Sequence, residues 1–206
     1  MDLTLEKLKV MFASAASRIA GERDYLCRLD AACGDGDHGV AINGAISAAS
    51  AAVQAAADLK EAFFDAGMAA MSNSNGSTSS IYGSFFMGVS DSVASGAQSI
   101  NAGEMAAAFK AGLKSMRDVV KGDVGDKTCF DSLIPAVEAM QNCGDVAQAL
   151  SAAAEAAERG ASGTVNLRAK FGRARNSAEA SVGTLDPGAV SNAMIFAEFA
   201  KSFKGE

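Results

Sequence analysis

Asp30, Asp35 and Asp37 fall in one short stretch, Leu29-Asp30-Ala31-Ala32-Cys33-Gly34-Asp35-Gly36-Asp37-His38-Gly39, whose three glycines let the backbone bend around a common centre. Carboxylates drawn together repel, and they take up protons unless a cation neutralises them. An all-oxygen donor set suits a hard divalent cation such as Mg2+ or Ca2+. An EF-hand is excluded. Counted from Asp35, the sixth position is Val40 rather than Gly and the twelfth is Ile46 rather than Glu. The same stretch also reads as an Asp/Gly turn capping the next helix. His38, the single histidine, could act as a general acid or base, a phosphate contact or a loop hydrogen-bonding group. Its place inside the acidic stretch favours a role in the site.

Three further stretches could assist. Ser72-Asn73-Ser74-Asn75-Gly76-Ser77-Thr78-Ser79-Ser80 runs into a predicted helix at Ile81, and N–H groups and hydroxyls at a helix N-terminus make an anion site. It is not a Walker A loop, because no Lys follows the glycine. An ordinary helix cap would look the same. Gly125-Asp126-Lys127-Thr128-Cys129-Phe130-Asp131 reads either as part of the site or as a turn with an N-cap. Lys170-Phe171-Gly172-Arg173-Ala174-Arg175, followed by Asp186-Pro187-Gly188, suggests a phosphate or nucleotide contact and equally a solvated basic stretch.

The elements that must position these residues are helices. About one residue in five is Ala, the best helix former, and no segment alternates with the period of a strand. Asp58 with Glu61, and Asn101 with Glu104, have capping-box spacing. Asp186-Pro187 places an N-cap directly before Pro at N1 and opens a helix running to about Phe203. Leu8, Met11, Phe12, Ala15 and Ile19 form one apolar stripe, and Met105, Phe109, Leu113 and Met116 form another. The polar stretches 31–39, 72–80, 121–127 and 160–188 lie between helices. An all-α bundle of about eight helices with antiparallel neighbours fits this spacing. No linker or repeat divides residues 1–206, so a single domain is expected.

Composition narrows the function classes. The 206 residues are 49% hydrophobic and 20% charged, with no Trp and two Pro, which is globular rather than disordered. A net charge of −6 argues against nucleic acid and anionic membrane as main partners. One histidine excludes a multi-His zinc site. The four cysteines, Cys27, Cys33, Cys129 and Cys143, contain no CxxC pair and read as reduced thiols. No apolar run is long enough for a membrane span. Asp2 and Glu6 stand where a signal peptide would be basic, so a cytoplasmic chain is expected.

Taken in order, these stretches resemble the DhaL family, the nucleotide-binding subunits of dihydroxyacetone kinases, over nearly the whole chain. The resemblance rests on Asp30 with Gly34-Asp35-Gly36-Asp37-His38-Gly39, on Gly125-Asp126-Lys127-Thr128, and on Gly172-Arg173-Ala174 with Asp186-Pro187-Gly188. It implies a closed barrel of eight antiparallel helices with the nucleotide, ATP or ADP, at one end. Asp30, Asp35 and Asp37 would then coordinate two Mg2+ ions. His38, Gly39, Val40 and Ala41 would contact the phosphates, with Ser77 and Thr78 as further donors. Gly122 and Cys129 would border the adenine, and Arg173 with Asp186, Pro187 and Gly188 would close the pocket. No side chain is assigned as a catalytic acid or base.

The chain departs from the family pattern at Ala41 (usually Asn), at Thr78-Ser79 in place of Ser-Gly, at Ser80, at Cys129 (usually Met) and at Ala180 (usually Arg). The resemblance further implies Mg2+-dependent phosphoryl transfer to a short ketose, dihydroxyacetone or a relative such as erythrulose, held by a DhaK-like partner. A phosphotransferase-system phosphodonor is a possible second partner, in a homodimer or hetero-complex. The alternatives are an ADP-charged regulatory module contacting a transcription regulator, and a helical barrel that has lost its nucleotide.

Overall fold

The computed structural model describes residues 1–73 and 76–205. Among them are eight α-helices: α1 (Leu5–Ala31), α2 (His38–Ala55), α3 (Leu59–Asn73), α4 (Ser77–Asp91), α5 (Ala102–Val119), α6 (Phe130–Ala139), α7 (Val146–Gly163) and α8 (Pro187–Lys204). The expected all-α architecture is present. Among the described residues the strand content is one antiparallel pair of two-residue strands, β1 (Leu3–Thr4) and β2 (Ser99–Ile100), in the register Leu3 to Ile100.

Local chemistry sets the helix starts. Asn101 and Glu104 form a reciprocal capping box at α5. At α3 the box is bent. Asp58 accepts from the Glu61 N–H at 2.8 Å, but the Glu61 carboxylate reaches past Asp58 to the N–H of Ala57. Asp186 accepts from the Ala189 N–H at 2.7 Å and caps α8 ahead of Pro187.

Each helix packs on its sequence neighbours, and α8 packs back on α1, which closes the ring. The two predicted stripes both point inward, with Leu8, Met11, Phe12, Ala15 and Ile19 of α1 and Met105, Phe109, Leu113 and Met116 of α5 all buried in one core. Phe12 contacts Phe63, Phe86 and Phe199 at centroid distances of 6.4, 5.2 and 5.5 Å, and Phe109 continues the aromatic row to Phe196. The residual apolar space among Tyr82, Phe85, Phe109, Leu133 and Phe196 is only about 20 Å3. That is near the minimum for one water, so the interior is a packed core rather than a channel. Small residues permit close crossings: a Cβ on Gly67 of α3 would lie 2.9 Å from the carbonyl oxygen of Gly83 in α4.

Up-and-down topology has one decisive consequence. The links α1–α2, α3–α4, α5–α6 and α7–α8 all lie at the same end, and these are the four polar stretches singled out in the sequence. That end also gathers the N-termini of α2, α4, α6 and α8, each carrying the partial positive charge of a helix start. The other end holds the start of α1, the end of α8 and the β1–β2 pair. Among the described residues no helix is long and apolar enough to cross a membrane.

Candidate functional site

The carboxylates come first. Asp30 sits in the last turn of α1, while Asp35 and Asp37 lie on the turn into α2. One oxygen from each falls within 4.8 Å of the others. Asp30 is oriented by the backbone it faces: its Oδ2 accepts from the N–H of Asp37 at 3.0 Å and of His38 at 3.3 Å. Gly34 makes room for it, since a Cβ there would lie 2.2 Å from Asp30 Oδ1. Burial, then the charges of Asp35 and Asp30, push the Asp37 carboxyl above its ordinary range. Oxygen donors this close, their like charges repelling one another, fit a hard divalent cation. The turn reading is also correct in part, because the same carboxylate that serves the cluster caps α2.

His38 is the first residue of α2 rather than a loop residue. Its Nε2 lies 3.0 Å from Ser191 Oγ of α8. Burial holds the imidazole at about 4, below its ordinary 6.5, despite the opposing pull of Asp30 and of the Pro187 carbonyl. It is therefore neutral at pH 7. Gly39 packs against α1, where a Cβ would come within 2.0 Å of the Arg23 carbonyl oxygen. Val40 on the same turn is exposed, and Ala41 is half-buried.

A polar chain runs inward from His38. Ser191 donates to the Gly188 carbonyl at 3.0 Å and also interacts with Tyr82 of α4. The Tyr82 hydroxyl donates to Asn192 Oδ1 at 2.5 Å, and Asn192 Nδ2 donates to the Cys129 carbonyl at 3.0 Å. The starts of α2, α4, α6 and α8 are thereby held in register. Sequence reasoning missed Tyr82, Ser191 and Asn192. The available signal was two adjacent polar residues inside the otherwise apolar run of α8.

Ser77 and Thr78 form the first turn of α4, behind Gly76. Ser74 and Asn75 of the predicted phosphate loop lie outside the described residues. Thr78 is half-buried, Ser79 is buried, and Ser77 and Ser80 face solvent. Cys129 is the N-cap of α6, and a Cβ on Gly188 would lie 3.1 Å from the Cys129 Cβ, so these two predicted pocket residues adjoin. Gly122 lies against the ring of Phe130. Burial raises the Cys129 thiol far above the ordinary thiol range.

Arg173 is brought to the carboxylates from a distant part of the chain, with its Nε 2.9 Å from Asp35 Oδ2. It rides on a segment that contains two short 3-10 turns, Thr164–Asn166 and Arg173–Ser177. The predicted loop 160–188 is thus shorter and more ordered than expected, because α7 continues to Gly163. At the end of the segment, burial pushes the Asp186 carboxyl up to about 7, with Asp131 and Asp30 adding to the rise and the Ala189 N–H and Lys127 opposing it. In Gly125-Asp126-Lys127-Thr128-Cys129-Phe130-Asp131 the turn reading holds. The Asp131 carboxylate accepts from the N–H groups of Gly125 at 2.6 Å and Thr128 at 2.7 Å.

Fold and site together define a class: a closed antiparallel helical barrel that presents a carboxylate cluster among four helix N-termini, an arrangement suited to a metal ion and a phosphate. The DAK2 domain model matches residues 32–201, and the chain belongs to that family. It is 33% identical over 184 residues to the ADP-binding subunit DhaL of PEP-dependent dihydroxyacetone kinase 2 from Listeria innocua, covering 86% of this chain and 85% of the relative. Against the ADP-binding subunit DhaL of the PEP-dependent dihydroxyacetone kinase of Escherichia coli it is 33% identical over 176 residues, covering 82% and 83%. The dihydroxyacetone kinase from C. freundii in complex with AMP-PNP and Mg2+ superposes with a TM-score of 0.73 at 25% identity. That match covers 97% of this chain and 34% of the larger protein, so the chain spans about a third of it.

Proposed function

We propose that the chain is the nucleotide-binding, phosphoryl-donating subunit of a kinase acting on dihydroxyacetone or a related short ketose, with residues 1–206 working as one domain. The observation that carries this reading is the gathering of Asp30, Asp35 and Asp37 within 4.8 Å at the end where four helix N-termini open. The AMP-PNP and Mg2+ bound to the structural relative support it.

Asp30, Asp35 and Asp37 would hold Mg2+, two ions in this reading. When bound, the metal neutralises phosphate charge and aligns the phosphoryl group for transfer. The chain's own residues bind and orient. His38, Gly39, Val40 and Ala41 offer the first turn of α2 to the phosphates, and Ser77 and Thr78 offer the first turn of α4. Gly122 and Cys129 border the base, while Asp186, Pro187 and Gly188 wall the pocket. Arg173 adds a cation that already reaches the carboxylates, through Asp35. Neutral His38, engaged with Ser191, serves as a positioning group rather than an acid.

A DhaK-like partner would hold the ketose, as the resemblance to the DhaL family implies. The two bacterial relatives are ADP-binding subunits of PEP-dependent kinases. This supports a resident ADP recharged by a phosphotransferase-system protein in the cytoplasm over an ATP that exchanges as substrate. The test is to purify the protein without added nucleotide, denature it and chromatograph what is released. One equivalent of ADP is expected. An empty protein that also fails to bind Mg-ATP would overturn the reading.

A further inference from the structure

We infer that Lys127 is a positioning residue: its buried ammonium clamps the two ends of the 164–186 segment together and thereby sets how long a nucleotide stays bound. The second half of this inference rests on the nucleotide-site reading above. The clamp itself is read from the geometry.

Lys127 is 4% exposed and sits at a φ of +57°, a conformation that non-glycine residues seldom adopt. Its Nζ donates to the carbonyl of Thr164 at 2.6 Å and to that of Thr184 at 2.5 Å. Thr164 follows the last residue of α7, and Thr184 lies two residues before the cap of α8. One ammonium therefore grips both sides of the neck. The same neck is crossed by the Gly183 N–H to Val165 carbonyl bond at 2.8 Å and by the Asp186 N–H to Thr164 Oγ1 bond at 2.9 Å.

The turn that delivers Lys127 is itself fixed, since Asp131 is 2% exposed and accepts from the N–H groups on either side of it. Beyond the neck the segment is tied to the rest of the site end by the Lys170 N–H to Asp126 carbonyl bond at 3.1 Å. Two ion pairs through exposed basic side chains add to it, Lys170 to Asp126 at 2.7 Å and Arg173 to Asp35. The Arg168 to Glu179 pair lies within the segment. Exposed pairs open readily in water, whereas the buried ammonium cannot leave without stranding itself and the Thr184 carbonyl, although the Thr164 carbonyl keeps the Leu167 N–H at 3.1 Å. The clamp therefore decides whether the arm that carries Arg173 and leads to Asp186 can swing away.

The experiment uses the full chain with K127M, the milder K127Q (which keeps amide donors) and K170M. Trypsin cleavage after Arg168, Arg173 and Arg175 is timed by mass spectrometry without nucleotide. Release of a fluorescent ADP analogue is timed in Mg2+ after a chase with excess ATP. For K127M we expect cleavage within the segment and analogue release each to accelerate tenfold or more. Cleavage elsewhere and the association rate should stay unchanged. K127Q should fall between wild type and K127M, and K170M should change both rates two- to threefold.

Wild-type segment cleavage in folded K127M, or in folded K127Q should K127M not fold, overturns the clamp. Acceleration spread evenly over the chain overturns it too, leaving Lys127 as a general stabiliser. Faster segment cleavage with unchanged release overturns the link to retention. If the wild type binds no analogue, the nucleotide reading and that link fail together, and the trypsin rates still decide the clamp.

Discussion

Arg173 Nε lies 2.9 Å from Asp35 Oδ2, so a cation on the α7–α8 segment closes over a carboxylate on the α1–α2 turn. Both side chains are substantially exposed, at 73% and 34%. An ion pair in that setting contributes little to stability, about 0–1 kcal/mol.

Arg173→Ala should therefore leave the melting temperature within about 4 °C of wild type. Mg-ADP affinity, measured by calorimetry, should fall about tenfold or more through loss of a charge-assisted contact worth about 1.5–3 kcal/mol. An unchanged affinity would remove Arg173 from the site.

Asp35→Asn and Asp37→Asn should each abolish Mg-nucleotide binding while the helical circular dichroism spectrum persists. Each substitution removes one negative charge from three crowded carboxylates. The variants without metal should consequently melt no lower than wild type. Wild-type affinity in both would mean that the carboxylates hold no metal.

Gly34→Ala and Gly39→Ala separate site from fold. A methyl group at residue 34 meets the Asp30 carboxylate, a side chain that can turn aside. Mg2+ binding should weaken with a modest loss of stability. At residue 39 it meets the Arg23 carbonyl 2.0 Å away and must push α1 from α2. Urea unfolding should show a loss of about 1–3 kcal/mol or more. Equal stability losses in the two variants would contradict this division.

Asp186 gives a pH dependence. Its folded carboxyl titrates at about 7 against 3.8 for the ordinary group, so between these values the folded state holds the extra proton. Its contribution to stability is fully present below about 3.8 and is lost as the pH rises through about 7. His38, lowered to about 4, acts in the opposite sense, losing its contribution as the pH falls from 6.5 to 4. The difference between wild type and Asp186→Asn isolates Asp186, because Asn caps a helix as well as Asp does. The variant should gain on wild type by more than about 3 °C in melting temperature between pH 5 and pH 8. A constant difference would show that Asp186 is ionised throughout.

Tyr82→Phe removes the buried hydroxyl that meets Asn192 Oδ1 and adjoins Ser191. About 1–3 kcal/mol should be lost in urea unfolding, because an acceptor is left unsatisfied. Metal binding at the Asp30 cluster should persist, which Mg2+ titration would check.

Much of this molecule could be read from the chain alone. Helix starts at Asn101 and Asp186 depend on contacts three residues apart, and the stripe from Leu8 to Ile19 depends on the helical period, so local sequence suffices for both. The carboxylate cluster was visible for the same reason, since its members lie within one turn of chain and glycine accounts for their convergence. What local sequence could not supply is pairing across the barrel. Arg173 meets Asp35, Ser191 meets His38, and Lys127 meets Thr164 and Thr184 only because of how each helix is rotated and shifted against its neighbours. A period of 3.6 residues tells which face is buried and says nothing about which residue of another helix stands opposite. Closure of the ring decided that four separate polar stretches share one end. It also assigned Lys127, drawn in beneath the 164–186 segment, to two carbonyls.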